Sequence, residues 1–260
     1  MTSVNSIVRV AALADLHVGN APGESRAALW EQLSASADVV ALCGDLTDHG
    51  LPEEAQILAK ELQLLRVPIV GVLGNHDYES GHEADVRAIL MDAGMHLLDG
   101  DAWETQGVGF GGAKGFCGGF GRRTLEPWGE RAIKLFVQEA LDEALKLEKA
   151  LSRLRTAHRI ALLHYSPVQA TVEGEPPEIY AFLGSSRLEE PLNRYEVAAV
   201  FHGHAHRGAP RGATSGGIPV YNVSLPLCRR TTPEQPFAIL ELPREGGSAE
   251  NAVGAGLSDG

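Results

Sequence analysis

Five short groups of polar residues carry whatever chemistry this chain performs. They are Asp15-Leu16-His17, Gly44-Asp45, Gly74-Asn75-His76-Asp77, His164 and Gly203-His204-Ala205-His206, each placed at the end of an apolar run. Carboxylates, an asparagine carbonyl and neutral imidazoles form a donor mixture that suits borderline divalent metals. A carboxylate such as Asp45 can bridge two cations and offset their repulsion. Two cations about 3.5–4 Å apart can share an activated hydroxide and clamp the oxygens of a phosphate ester for in-line displacement. Singly, the groups say little. Asp-x-His triplets arise by chance, a solitary His164 reads more readily as a hydrogen-bonded core residue, and Gly-His-Ala-His reads equally as a polar turn. Taken in order, and all at predicted strand ends, they point to a two-metal hydrolytic site.

The elements that must position them follow from hydrophobic spacing. Apolar runs at Ile7–Ala14, Val39–Cys43, Pro68–Leu73, Arg159–Leu163 and Val197–Phe201 predict buried strands. Helical spacing covers Glu24–Ala37, Pro52–Leu65, Glu83–Ala93, Trp128–Leu154 and, in a shorter stretch, Ser185–Asn193. The alternation predicts βαβ units and a mostly parallel sheet, which binds ligands outside the carboxyl ends of its strands. Ile218–Val223 and Phe237–Leu242 read as late antiparallel strands. Residues 107–121 hold eight of the thirty glycines among Phe110, Phe116 and Phe120, and predict a strand followed by a mobile loop. Gly, Ser, Ala and Asn dominate from Arg244 onward. The expectation is therefore one domain over 1–243 and a disordered tail over 244–260.

Composition narrows the partners. A chain of 260 residues with 44% hydrophobic residues can bury a sizeable core, and its net charge of −12 disfavours nucleic-acid duplexes and anionic membranes. A small anionic substrate stays compatible, because bound metal ions reverse the local field. Cys43, Cys117 and Cys228 form no Cys-x-x-Cys pair, Met1–Ser6 has no signal-peptide character, and no apolar stretch approaches a membrane span. A cytoplasmic protein is expected. Its oligomeric state is not legible.

The order Asp-x-His, Gly-Asp, Gly-Asn-His-Asp, His, Gly-His-x-His resembles the calcineurin-like metallophosphoesterase superfamily. It is closest in pattern to the bacterial branch of class III cyclic-nucleotide phosphodiesterases. The resemblance runs from Asp15 to His206, with Gly44-Asp45-Leu46-Thr47-Asp48 and Gly74-Asn75-His76-Asp77 as its most specific pieces. It implies an α/β (α+β) fold, a two-sheet β-sandwich of mixed sheets flanked by helices. It also implies two divalent or mixed-valence transition-metal ions (Mn, Fe or Zn). Asp15, His17, Asp45 and His206 would hold one ion, and Asp45, Asn75, His164 and His204 the other. His76 would contact the phosphate, beside Asn75, and protonate the leaving oxygen, with Asp77 orienting its ring.

The remaining candidates are weaker. His82, His96 and His158 read as surface residues, and His49 as surface or as support for Asp45. His202 alternates with His204 and His206 and reads as a packed ring or a spare ligand. Gly107-Val108-Gly109-Phe110-Gly111-Gly112 spells GxGxxG, but no helical pattern follows it, so the dinucleotide reading is rejected. Phe116, Phe120, Arg122 and Arg123 would contact a base or phosphate if this loop lies near the metals. The leading expectation is a phosphoesterase for a small phosphodiester. Monoesterase or pyrophosphate cleavage on the same ligands is the alternative, and a non-catalytic metal-binding scaffold is the reading from another class.

Overall fold

Every second residue of the first strand explains how the layers assemble. In the computed structural model, which describes residues 7–19 and 26–244, Val8, Val10, Ala12 and Ala14 face one layer while Ala11 and Leu13 face another. Strand periodicity of two sends alternate side chains to opposite faces, so a strand apolar at every position but Arg9 is buried on both beyond its first residues.

The elements run β1 (Ile7–Leu13), α1 (Ala27–Ser36), β2 (Val39–Cys43), α2 (Pro52–Leu62), β3 (Ile69–Val72), α3 (Glu83–Asp92), β4 (Met95–Leu97), β5 (Asp101–Thr105) and β6 (Val108–Gly112). They continue with α4 (Arg131–Arg153), β7 (His158–Leu162), α5 (Tyr180–Leu183), α6 (Glu189–Arg194), β8 (Ala199–His202), β9 (Arg211–Ala213), β10 (Pro219–Asn222), α7 (Leu225–Thr231) and β11 (Ala238–Pro243).

Two mixed sheets result, one ordered β11-β1-β2-β3-β4 and the other β5-β6-β7-β8-β10-β9. In each, four strands are parallel and the outer partners β11, β5 and β9 are antiparallel. Between the sheets lie Val10, Val39, Val70, Phe110, Ile160 and Phe201. On the outer face of the first sheet, Trp30, Leu33, Leu58 and Leu90 from α1–α3 pack on Leu13 and Leu42. On the second, Leu147 and Leu151 of α4 pack on Ala161 and Val200 with Leu188 and Leu192. This is the expected sandwich with flanking helices.

Several local expectations change. Glu24 and Ser25 lie outside the described residues, as does 245–260, so the predicted start of the first helix and nearly all of the expected tail have no structural counterpart to compare. Gly129, at φ +74°, precedes α4, which begins at Arg131 rather than Trp128. β10 runs parallel to β8 and antiparallel only to β9, so one of the two late strands is mostly misassigned by an antiparallel reading. The short strands β4, β5 and β9 and the helix α7 were not expected.

The glycine-rich segment is the largest correction. Beyond β6, Ala113, Lys114, Gly115, Cys117, Gly118 and Gly119 are buried rather than looped out into solvent. Gly115 N–H donates to the carboxylate of Glu143 at 2.8 Å, and Gly119 N–H donates to the Gly184 carbonyl at 2.9 Å. Glu143 of α4 is itself buried where it serves this segment. Among the described residues no helix is long and apolar enough to cross a membrane.

Candidate metal centre

The five polar groups meet at the carboxyl ends of parallel strands, three contributed by the first sheet and two by the second. Asp15 follows β1, Asp45 follows β2, Asn75 follows β3, His164 follows β7, and His204 and His206 follow β8. Backbone hydrogen bonds join the turns: Asp15 N–H to the Gly44 carbonyl at 2.9 Å, His17 N–H to the Asp45 carbonyl at 3.0 Å, and Gly203 N–H to the His164 carbonyl at 3.1 Å.

The backbone itself marks the site. Asp15 (φ 59°), His17 (φ 43°), Asp45 (φ 48°) and His204 (φ 70°) sit in the left-handed region, four of only six non-glycine residues there among those described. Such conformations cost roughly 1–3 kcal/mol each and persist where surrounding contacts impose them. The adjoining glycines allow the close approach. A Cβ on Gly44 would overlap the ring of His164, and one on Gly74 would overlap the backbone nitrogen and Oδ1 of Asp45.

Three triads place one donor atom from each member within 4.8 Å of the others: Asp15, His17 and His206; Asp45, His164 and His204; and His17, Asp45 and His76 linking them. Asp45 faces both outer groups. Its Oδ1 lies 3.3 Å from His164 Nε2, and its Oδ2 lies 3.8 Å from His17 Nε2. Asn75 joins through Oδ1, which is 2.8 Å from His164 Nε2. His206 Nε2 lies 2.9 Å from Asp15 Oδ1.

Backbone carbonyls set the ring orientations. A carbonyl only accepts, so a ring nitrogen bonded to one carries the hydrogen. His164 Nδ1 donates to Cys43 at 3.0 Å, and His204 Nε2 donates to Phe182 at 3.1 Å. That leaves His164 Nε2 and His204 Nδ1 to meet a cation. The donor set fits a metal on an independent observation: His17 Nε2 is buried and makes no hydrogen bond.

Electrostatics point the same way. Burial alone would raise the Asp45 carboxyl, but His164 beside it and the hydrogen bonds it accepts hold it well below the ordinary carboxylate range. Burial works against protonating His164, yet the Asp45 charge carries its ring up to about 9. A proton there balances the anionic cluster as a cation would. Burial, and then the His164 charge, push His204 down to about 4. The hydrogen bond to Asp15 raises His206, while burial lowers His17.

One expected role changes, that of Asp77, and the His202 alternatives resolve to the packed ring. Asp77 does not hold the His76 ring. Its buried carboxylate accepts from Thr47 Oγ1 at 2.6 Å, Thr47 N at 2.8 Å, Gly74 N at 2.8 Å and Leu46 N at 3.2 Å, clamping the Asp45 turn to the Asn75 turn. His76 Nδ1 is instead bonded to the Asp48 carbonyl at 2.7 Å, with Glu79 Oε2 at 3.5 Å. His202 is not a spare ligand. Its Nδ1 donates to the Gly203 carbonyl at 2.8 Å, its Nε2 lies 2.8 Å from Thr171 Oγ1, and burial pushes it down to about 4. His49 is exposed and reaches the site only through Asp48. Arg122 and Arg123 lie on an exposed turn, and neither touches the ligand cluster.

Spacing did not reveal Asp48, whose carboxylate lies 3.4 Å from His17 Nδ1, or the orienting carbonyls. It also missed Lys114. This buried ammonium lies 4.9–5.6 Å from the ring centres of Phe116, Tyr165 and Tyr78, and its backbone carbonyl accepts from His164 and Tyr165.

Known proteins resemble this chain in sequence and in fold. Over 188 residues the chain is 26% identical to a probable glycerophosphodiester phosphodiesterase GpdQ of Arcobacter nitrofigilis, matching 67% of this chain and 59% of the relative. The chain thus spans less than two thirds of that relative's length. Its fold superposes on the phosphopantetheinyl hydrolase PptH of Mycobacterium tuberculosis with a TM-score of 0.65 at 15% identity, covering 96% of this chain and 100% of the other. It also superposes on TT1561 of Thermus thermophilus with a TM-score of 0.53 at 13% identity, covering 91% and 99%. Residues 8–208 match the calcineurin-like phosphoesterase family, and they hold every candidate ligand assembled above. The chain belongs to the calcineurin-like phosphoesterase family.

Proposed function

We propose that this protein hydrolyses a small phosphodiester at a centre of two transition-metal ions. One observation carries the reading: Asp45 directs its two carboxylate oxygens toward histidines of two different donor triads, Oδ1 to His164 and Oδ2 to His17. Asp15, His17, Asp45 and His206 would hold one ion, and Asp45, Asn75, His164 and His204 the other. Bound ions would neutralise phosphate charge and bring the acidity of water near pH 7.

The chain's own groups do the rest. The Asp48 carbonyl keeps hydrogen on His76 Nδ1, so Nε2 is the atom left to face a substrate. In its imidazolium form His76 donates from Nε2 to the departing ester oxygen, while the Asp48 carbonyl and Glu79 stabilise the charged ring. Asn75 spends its Oδ1 on the ligand side and keeps its amide nitrogen for a phosphate oxygen. Asp77 positions both turns without touching substrate.

The preference for a diester draws on the named activity of the Arcobacter relative. A panel of linear and cyclic diesters, monoesters and pyrophosphates, assayed with Mn, Fe, Zn and Mg, tests it. Diesters should give the highest kcat/KM. Monoester or pyrophosphate turnover well above diester turnover would reassign the substrate class.

A further inference from the structure

Beside the ligand cluster runs an open groove of about 500 Å³, walled by Leu125, Ile133, Phe136 and Phe182, with Arg123 among its lining residues. Two paths join it to the site. The Phe182 carbonyl accepts from His204 Nε2 at 3.1 Å. The Phe136 ring packs 5.1 Å from Phe116, Phe116 packs 5.8 Å from Tyr165, and Tyr165 packs 4.6 Å from His204. The groove therefore abuts the His204 side of the cluster, whereas His76 packs against His17 at 4.6 Å on the other.

Its chemistry is selective. Phe182 is 57% exposed, a large ring left uncovered next to a metal-ligand residue. No carboxylate lines the groove among the described residues, in a chain of net charge −12. Arg123 supplies its one cation. Apolar walls with a single guanidinium suit an amphipathic monoanion.

We propose that this groove receives the ester arm that stays on phosphorus when the other arm departs toward His76. That arm is apolar over most of its length and carries an acceptor or anionic group for Arg123. The inference rests on the phosphodiesterase reading, since a monoester has no second arm to bind.

The test uses the full chain loaded with Mn(II) and a series of methyl, butyl, hexyl and phenyl p-nitrophenyl phosphates, which share one leaving group. From methyl to hexyl, kcat/KM should rise on the order of 10- to 100-fold as methylenes leave water. Ala132→Trp, at an exposed groove position on α4, should bring the hexyl-to-methyl ratio close to one. Phe182→Ser, which keeps the carbonyl that holds His204, should also lower it. A wild-type ratio near one, or a ratio that survives both substitutions, overturns the inference while leaving diester hydrolysis intact. Failure to cleave any of the esters removes the phosphodiesterase reading itself. A dimer by light scattering that becomes monomeric in Ala132→Trp, with the ratio unchanged, assigns the groove to a second copy of the chain and overturns the inference.

Discussion

His76 Nδ1 lies 2.7 Å from the backbone oxygen of Asp48, and that contact fixes which nitrogen of the ring can reach a substrate. In the proposed mechanism that nitrogen serves the substrate and not a metal. His76→Ala should leave the metal content largely intact and lower kcat on the order of 10²-fold or more. Elemental analysis alongside kinetics distinguishes the roles, and emptied metal sites in this variant would make His76 a ligand.

Asp77 calls for a different expectation. Its carboxylate satisfies three backbone N–H groups and the Thr47 hydroxyl in a fully buried position. Asp77→Ala strands those donors and should destabilise the fold by about 2–4 kcal/mol. Urea unfolding measures this. A midpoint equal to wild type would show that the clamp carries no stability.

Metal binding should depend on pH in a definite direction. His164 is raised to about 9 and His206 is raised, so both favour protonation in the metal-free protein, while Asp45 stays ionised. Ligation expels a proton from His164, and apparent metal affinity should rise about tenfold per pH unit between pH 6 and 8. The metal-free fold should show the opposite trend. His164 has a folded value above its ordinary 6.5, so its stabilisation is complete below pH 6.5 and is lost as pH climbs toward 9. Titration calorimetry at several pH values, with thermal melts of the metal-free chain, checks both signs.

Arg123 lines the groove, whereas Arg122, on the same exposed turn, does not. Arg123→Ala should raise KM for an anionic diester several-fold, and Arg122→Ala should have a smaller effect. Equal and negligible effects would remove the turn from substrate binding.

How much of this was legible in the sequence depends on what each feature rests on. Val39–Cys43 is apolar at every position because β2 is buried on both faces, and its bounds are as expected. Met95–Leu97 and Arg211–Ala213 are three residues long, too short for a period to emerge. Asp101–Thr105 is an edge strand with little burial. In α7, Pro226 occupies the first turn and hides a helix behind a turn signal. The candidate ligands were visible because chemistry constrains their types. The groups that orient their rings and that of His76 were not, since backbone carbonyls of Cys43, Phe182 and Asp48 leave no trace in side-chain identity. The glycine-rich segment misled because glycines beyond β6 serve close packing rather than a loop in solvent: a Cβ on Gly115 would press on Leu188.

Metal stoichiometry bears most directly on the shared position of Asp45. Purified chain should hold about two transition-metal ions, and Asp45→Ala should lose both while Asn75→Ala or His17→Ala weakens chiefly one. Elemental analysis of the three variants, with hydrolysis of bis(p-nitrophenyl) phosphate before and after chelation, makes the comparison. Activity should vanish on chelation and return with added metal. A fully active protein holding one ion or none, or an Asp45→Ala variant with unchanged metal content, would contradict the account.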